Sequence, residues 1–292
     1  MIGLTLKQLR YFEALARHRH FGHAADSCGI SQPALSLQIK ELEALLGAPL
    51  IERGARQVRL SALGEELSER ARAILGAVEE IDDLARTARG PLSGRLRLGV
   101  IPTIAPYLLP GAIKRLGAAY PALDLRPREA ITQTLIRDLN EGRLDLAIVA
   151  LPVSEPALHE EPLFEEEFML VRPVHEANLP VPNLDNLLDM RLLLLEEGHC
   201  FRDQALSFCT APSKGPRELM EGSSLNTLVQ MVGAGIGVTL IPEMAVPIET
   251  RSAEVSVTQL PAPRPKRTVG IVWRKSSPLS AQFGQIADLL RP

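Results

Sequence analysis

Cysteine is scarce in this chain, with three in 292 residues. So small and odd a number excludes the disulfide framework of a small secreted domain. Aromatic residues are also few, at 4%, so any core must be built mainly from aliphatic side chains. No apolar run is long enough for a membrane: the densest, Leu192 to Leu195 beside Arg191, falls far short of the roughly 20 residues a spanning helix needs. Met1 to Lys7 lacks the apolar stretch of a secretory signal, and the expected location is the cytoplasm. The net charge of −3 gives no overall attraction to a polyanion. Any such affinity must come from a local excess of positive charge.

One local excess exists. Residues 1–62 carry eight Lys and Arg against five acids, with three histidines besides. Leu6, Leu9, Phe12, Leu15 and Ala16 recur at helical spacing. Phe21, Ala24 and Ala25 mark a short second helix that Cys28-Gly29 ends, and Ser31 with Pro33 opens a third. Leu35, Ile39, Leu42 and Leu45 form its buried stripe, up to Gly47. Two helices, a tight turn and a polar-faced third helix match helix-turn-helix geometry. Ser31, Gln32, Pro33, Ser36, Gln38 and Lys40 lie at its start or off its apolar stripe, where they can face a DNA groove or phosphates. From Pro49 to Leu60 basic and apolar residues alternate, as in a β-wing, and Arg53 and Arg56 are its candidate phosphate contacts. The competing reading is a plain helical packing module. His18, His20 and His23 read as surface or cap residues, and Cys28 as packing.

Between residues 61 and 88 the pattern changes. Leu67, Ala71, Ile74, Val78, Ile81 and Ala85 follow steps of four and three, the seam of a two-stranded coiled coil. Gly90-Pro91 breaks it. The expected division is therefore 1–62, a DNA-binding domain; 63–89, a dimerising linker helix; and 90–292, a regulatory domain. From Arg95 onward strand and helix patterns alternate, which predicts a mainly parallel, doubly wound sheet. Ligands in such folds sit where strand ends meet helix starts, here at Pro102-Thr103 and Ala130-Ile131-Thr132. Trp273 reads as core, and the Glu165-Glu166-Glu167 run as a solvated edge.

Cys200 and Cys209 are nine residues apart. A helical segment would separate them by about 13.5 Å, whereas a disulfide needs Cα atoms within about 4.4–6.8 Å. If they pair, the intervening segment refolds. His199 and Arg202 bring positive charge near Cys200, which favours the reactive thiolate, and Asp203 can relay a proton. Two other readings stand beside this one: buried, inert thiols, or a metal site using His199, Cys200, Cys209 and His175, for which the spacing offers no motif.

Ala24-Ala25, Ser31-Gln32-Pro33-Ala34-Leu35-Ser36, Leu42-Glu43 and Leu50-Ile51-Glu52-Arg53 resemble the winged helix-turn-helix of LysR-type transcriptional regulators. Ile101-Pro102-Thr103, Pro106-Tyr107-Leu108-Leu109-Pro110, Gly198-His199-Cys200, Arg202-Asp203-Gln204-Ala205 and Phe208-Cys209 resemble the hydrogen-peroxide-sensing branch of that family. The resemblance implies an α+β multi-domain chain: a winged helix-turn-helix, a coiled-coil linker helix, and a two-lobed α/β sensor like a periplasmic binding protein. It implies that Cys200 reacts with peroxide and Cys209 resolves it. Thr103 and Thr132 would hold peroxide, and His199, Arg202 and Asp203 would set reactivity. The implied partners are double-stranded DNA, RNA polymerase and a second or further copies of the chain, with no membrane, metal or cofactor. Thr210-Ala211-Pro212 and the bulky Phe201 depart from the pattern and bear on switching rate. The rivals are a regulator taking a small effector between the lobes, a thiol peroxidase and a solute-binding protein.

Overall fold

The computed structural model describes residues 3–52, 58–87, 92–182, 187, 190–196, 201, 204 and 221–292. They fall into two compact units, Met1–Ala85 and Arg86–Pro292. The first holds α1 (Leu6–His18), α2 (Phe21–Cys28), α3 (Gln32–Leu46) and most of α4 (Ala62–Thr87). Thr5 and Gln8 form a reciprocal capping box at the start of α1. His20 caps α2 by accepting from the His23 amide at 3.3 Å, and the Ser31 hydroxyl accepts from the Ala34 amide to start α3. Gly29 and Gly47 end their helices at φ of 66° and 69°, where a side chain would be strained.

The aliphatic stripes meet as the spacing predicts, with two exceptions. Leu6 and Leu45 are exposed. After Leu35, Ile39 and Leu42 the next four-residue step is Leu46, not Leu45, and it is Leu46 that packs on the core. Cys28 packs there too. The wing closes through an Ile51–Leu60 bridge, with Glu52 and Ser61 amides donating to the Arg59 and Leu50 carbonyls. Arg53 and Arg56 lie outside the described residues. The Glu43 carboxylate accepts from the Leu50 and Ile51 amides and ties the wing to α3. In α4, Ala71 is buried while Ile74 and Ile81 are 43% and 63% exposed within one chain. Four–three apolar spacing with exposed isoleucines is what an unpaired seam presents.

The second unit has two cores. The first lobe is β1 (Gly94–Val100), α5 (Ala105–Ala119), β2 (Leu123–Glu129), α6 (Thr132–Asn140) and β3 (Leu146–Leu151). β4 (Leu158–Pro173) then runs through both lobes. The second lobe adds β5 (Leu192–Leu195), β6 (Glu221–Gly222), α7 (Leu225–Gly233), β7 (Val238–Pro242), α8 (Val246–Glu249) and β8 (Val255–Gln259). The chain returns through β9 (Lys266–Arg274) and α9 (Ser280–Leu290). The strand order is β2-β1-β3-β9-β4-β7-β5-β6, with β8 on β4.

The sheet corrects one expectation. It is mixed, not mainly parallel: β1–β2, β1–β3, β5–β6 and β5–β7 are parallel, and every pairing of β4 and β9 is antiparallel. β9 returns from the second lobe and enters between β3 and β4, antiparallel to both. The Glu165–Glu167 run is corrected as well. Side chains alternate along a strand, so Glu165 and Glu167 face outward to Lys266 and Arg264 while Glu166 is buried against Arg267. Trp273 is core, with its indole N–H donating to the Ser280 hydroxyl at 2.9 Å. Among the described residues no helix is long and apolar enough to cross a membrane.

Candidate functional site

Two regions carry the chemistry-bearing residues. On α3, about 100° of turn per residue puts Gln32, Ser36 and Lys40 within about 80° of arc. Gln32, Pro33 and Lys40 are exposed there and Ser36 is half-buried. Gln38 falls on the other flank and donates its amide to Glu41 at 2.6 Å, so the structure separates it from the group. Leu37 stands open beside Pro33, and its position off the apolar stripe is the signal in the sequence that marks it.

The second region is a cleft of about 380 Å³ between the lobes. The ends of β1 and β2 supply Pro102, Thr103, Glu129 and Ile131. The start of α7 supplies Ser224 and Asn226, and Tyr107 and Glu249 complete it. Thr103 is buried. Its hydroxyl oxygen accepts from Arg267 Nη1 at 2.8 Å, and its carbonyl from Nη2 at 3.0 Å. A hydroxyl that accepts in this way keeps its own proton to donate. Arg267 is neutralised by Glu166, with Nε donating to Oε1 at 2.8 Å, and the other Glu166 oxygen accepts from the Met244 amide. The Arg267 guanidinium carbon also lies 5.8 Å from the ring centre of Phe201, a cation–π distance. Phe201 is buried against Phe168.

Thr132 opens α6 next to Ile131 but does not line the cleft. Its hydroxyl oxygen is buried and has no hydrogen-bond partner among the described residues. His199, Cys200, Arg202, Asp203 and Cys209 lie outside the described residues, as does Thr210-Ala211-Pro212. The described histidine of the metal reading, His175, is mostly exposed, and the described residues hold no cluster of His, Cys, Asp and Glu suited to a metal.

Sequence reasoning missed Arg267, Glu166, Glu249 and Asn226, and gave Tyr107 no role. No local pattern marks them. Arg267 meets Thr103 across 164 residues, and Tyr107 meets Glu249 across 142.

Residues 6–65 match the model of the bacterial regulatory helix-turn-helix protein, lysR family, and residues 89–292 match the LysR substrate binding domain. The chain belongs to the LysR family. Among its relatives, a probable hydrogen peroxide-inducible genes activator of Streptomyces viridosporus is 42% identical, covering 98% of this chain and 93% of that protein. The DNA-binding transcriptional dual regulator OxyR of Escherichia coli K12 is 40% identical, over 99% and 95%. A solved full-length cysteine-to-aspartate variant of OxyR from Pseudomonas aeruginosa is 38% identical at a TM-score of 0.78, over 98% and 94% of the two chains. A peroxide-bound cysteine-to-serine variant of Corynebacterium glutamicum OxyR is also 38% identical, with a TM-score of 0.67 over 98% and 91%. The family's two-part architecture is thus present from end to end.

Proposed function

We propose that this protein is a DNA-binding transcription regulator that senses hydrogen peroxide through Cys200 and stores the signal as a reversible Cys200–Cys209 disulfide. The observation that carries this reading is the Thr103 hydroxyl, oriented by buried Arg267 with its proton left to donate. Cys200 directly precedes Phe201 in the chain, and Phe201 packs beside that same Arg267. A cation near a thiol favours thiolate. Thr103 can donate to a peroxide oxygen in the cleft. Thr132, whose hydroxyl oxygen has no partner among the described residues, follows Ile131 of the cleft wall, and His199, Arg202 and Asp203 are further charge and proton groups.

In the first step the Cys200 thiolate attacks one peroxide oxygen and the O–O bond breaks. The departing hydroxide takes a proton to become water, leaving sulfenic acid on sulfur. The Cys209 thiolate then attacks that sulfur, an S–S bond forms, and a second water leaves. Two thiols and one peroxide give one disulfide and two waters. Intact-mass measurement after a brief stoichiometric peroxide pulse tests this: the chain should lose two hydrogens, mapped to Cys200 and Cys209. Thr103→Val should slow peroxide oxidation by roughly tenfold, the effect of about one hydrogen bond to a charged transition state. Oxidation of that variant by diamide should proceed as in the parent. Equal peroxide rates would remove Thr103 from the mechanism.

The signal reaches DNA through the division 1–62, 63–89 and 90–292. The α4 seam pairs two chains in a homodimer or homotetramer, acting in the cytoplasm with RNA polymerase. The α3 face carrying Ser31, Gln32, Pro33, Ser36 and Lys40 enters the major groove, and Arg53 and Arg56 on the wing contact phosphates. Gln32→Ala should cost about 1–3 kcal/mol on the specific site and relax its sequence preference. Lys40→Ala should weaken binding to all sequences and lower the salt dependence by about one counterion. Binding assays across salt and site variants would expose a wrong assignment as an exchange of these two patterns.

A second reading rests on cleft size. At about 380 Å³ the cleft falls in the range of small-molecule sites and far exceeds peroxide. A regulator answering an effector there would keep its response when Cys200 is removed.

A further inference from the structure

Tyr107 belongs to two cores at once. Its helix, α5, buries Ala105, Ala112 and Leu116 in the first-lobe core, yet the tyrosine ring packs against the second. Its hydroxyl donates to Glu249 Oε1 at 2.7 Å, and Asn226 Nδ2 donates to Oε2 at 2.9 Å. Glu249 is 6% exposed, and among the described residues both of its hydrogen-bond donors are neutral. A carboxylate so enclosed is held by the donors aimed at it, and such charge-assisted bonds are short and strong. Burial, together with the Glu249 carboxylate, drives the Tyr107 phenol far above the usual tyrosine range, so the donor keeps its proton at any working pH. Tyr107, Asn226, Glu249 and Thr103 all line the same cleft.

We propose that Tyr107, Glu249 and Asn226 form an inter-lobe latch that holds Thr103 at working distance from the Cys200 segment, making Glu249 a positioning residue for peroxide sensing. The proposal rests on the peroxide reading above. Thr103 is on the first lobe, whereas Phe201, next to Cys200, is in the second-lobe core. The placement of the threonine hydroxyl relative to the second-lobe core around Phe201 therefore depends on how the lobes are clamped. The Tyr107–Glu249 bond is a direct side-chain tie between them.

The test uses full-length reduced protein, hydrogen peroxide, and quenched intact-mass detection of Cys200 oxidation. Tyr107→Phe keeps the ring and loses the hydroxyl, and should oxidise roughly tenfold more slowly. Diamide should still form the disulfide at the parent's rate. Glu249→Gln removes the charge from both bonds, which leaves them about half as strong, and should slow oxidation similarly. Adding Asn226→Asp returns a carboxylate to the pair and should bring the rate back to within about threefold. Alkaline titration of the three tyrosines, read in the ultraviolet, supplies a spectroscopic signature. One phenol should resist ionisation in the parent and titrate earlier in Glu249→Gln. A parent-like rate in Tyr107→Phe would overturn the latch. So would a Glu249→Gln, Asn226→Asp protein as slow as the single variant, because packing alone would then explain the loss. A parent protein that never oxidises at Cys200 would be a separate failure, sinking the peroxide reading itself.

Discussion

Cys200→Ser is expected to abolish the peroxide response entirely. The variant should show the same DNA footprint before and after a peroxide pulse that converts the parent. Serine keeps the size of the side chain but removes the only nucleophile at the position, and an alcohol at neutral pH is not an appreciable peroxide acceptor. Cys209→Ser should behave differently. It keeps the attacking thiolate and loses the resolving one, so Cys200 should accumulate as sulfenic and then sulfinic acid. The two variants separate the first chemical step from the second. Closing the short Cys200–Cys209 loop removes about 2–3 kcal/mol of chain entropy from the open form, and the lost packing of the intervening segment opposes it. The oxidised chain is therefore expected to be a second folded arrangement, not a staple on the first. A peroxide-dependent footprint in Cys200→Ser would discard this mechanism and leave the inter-lobe effector in its place.

Val78→Asp is expected to abolish dimerisation. Val78 sits between Ile74 and Ile81 in the four–three row, and both isoleucines are exposed in the single chain. A symmetric seam would place two new carboxylates near each other in an apolar contact. An unpaired buried charge costs about 3–5 kcal/mol, which raises the dissociation constant by at least about a hundredfold. Specific DNA binding should be lost with the dimer, because paired half-sites need two subunits at fixed spacing. Sedimentation velocity at several concentrations decides the first part, and a two-half-site binding assay the second. An unchanged dimer would show that α4 packs through another face.

The helices of the first unit were legible in the residues because their determinants are local. Thr5 and Ser31 start helices through bonds to residues three positions on, and Gly29 and Gly47 stop them by adopting positive φ. The two missed placements there are instructive. Leu45 fails and Leu46 succeeds because a helix of 3.6 residues per turn alternates steps of four and three. Gln38 looks like a recognition residue by composition, yet at about 100° per residue it falls on the other flank from Gln32, Ser36 and Lys40. In the second unit, α9 and β5 each carry their own apolar pattern, with four buried residues apiece. The first half of β4 is harder to read, because its acidic residues mask the alternation.

The cleft obeys a different logic. Strand ends and helix starts place Thr103 by rule, and that much follows from chain order. The buried cation beside it comes from β9, its counter-charge Glu166 from β4, and the Tyr107–Glu249 tie from two lobes whose partners are 142 residues apart. Short-range preferences act over a few residues and cannot encode which distant side chains meet. That choice was left to strand register and to the burial of charge, which is tolerated only where a partner from elsewhere in the chain arrives to meet it.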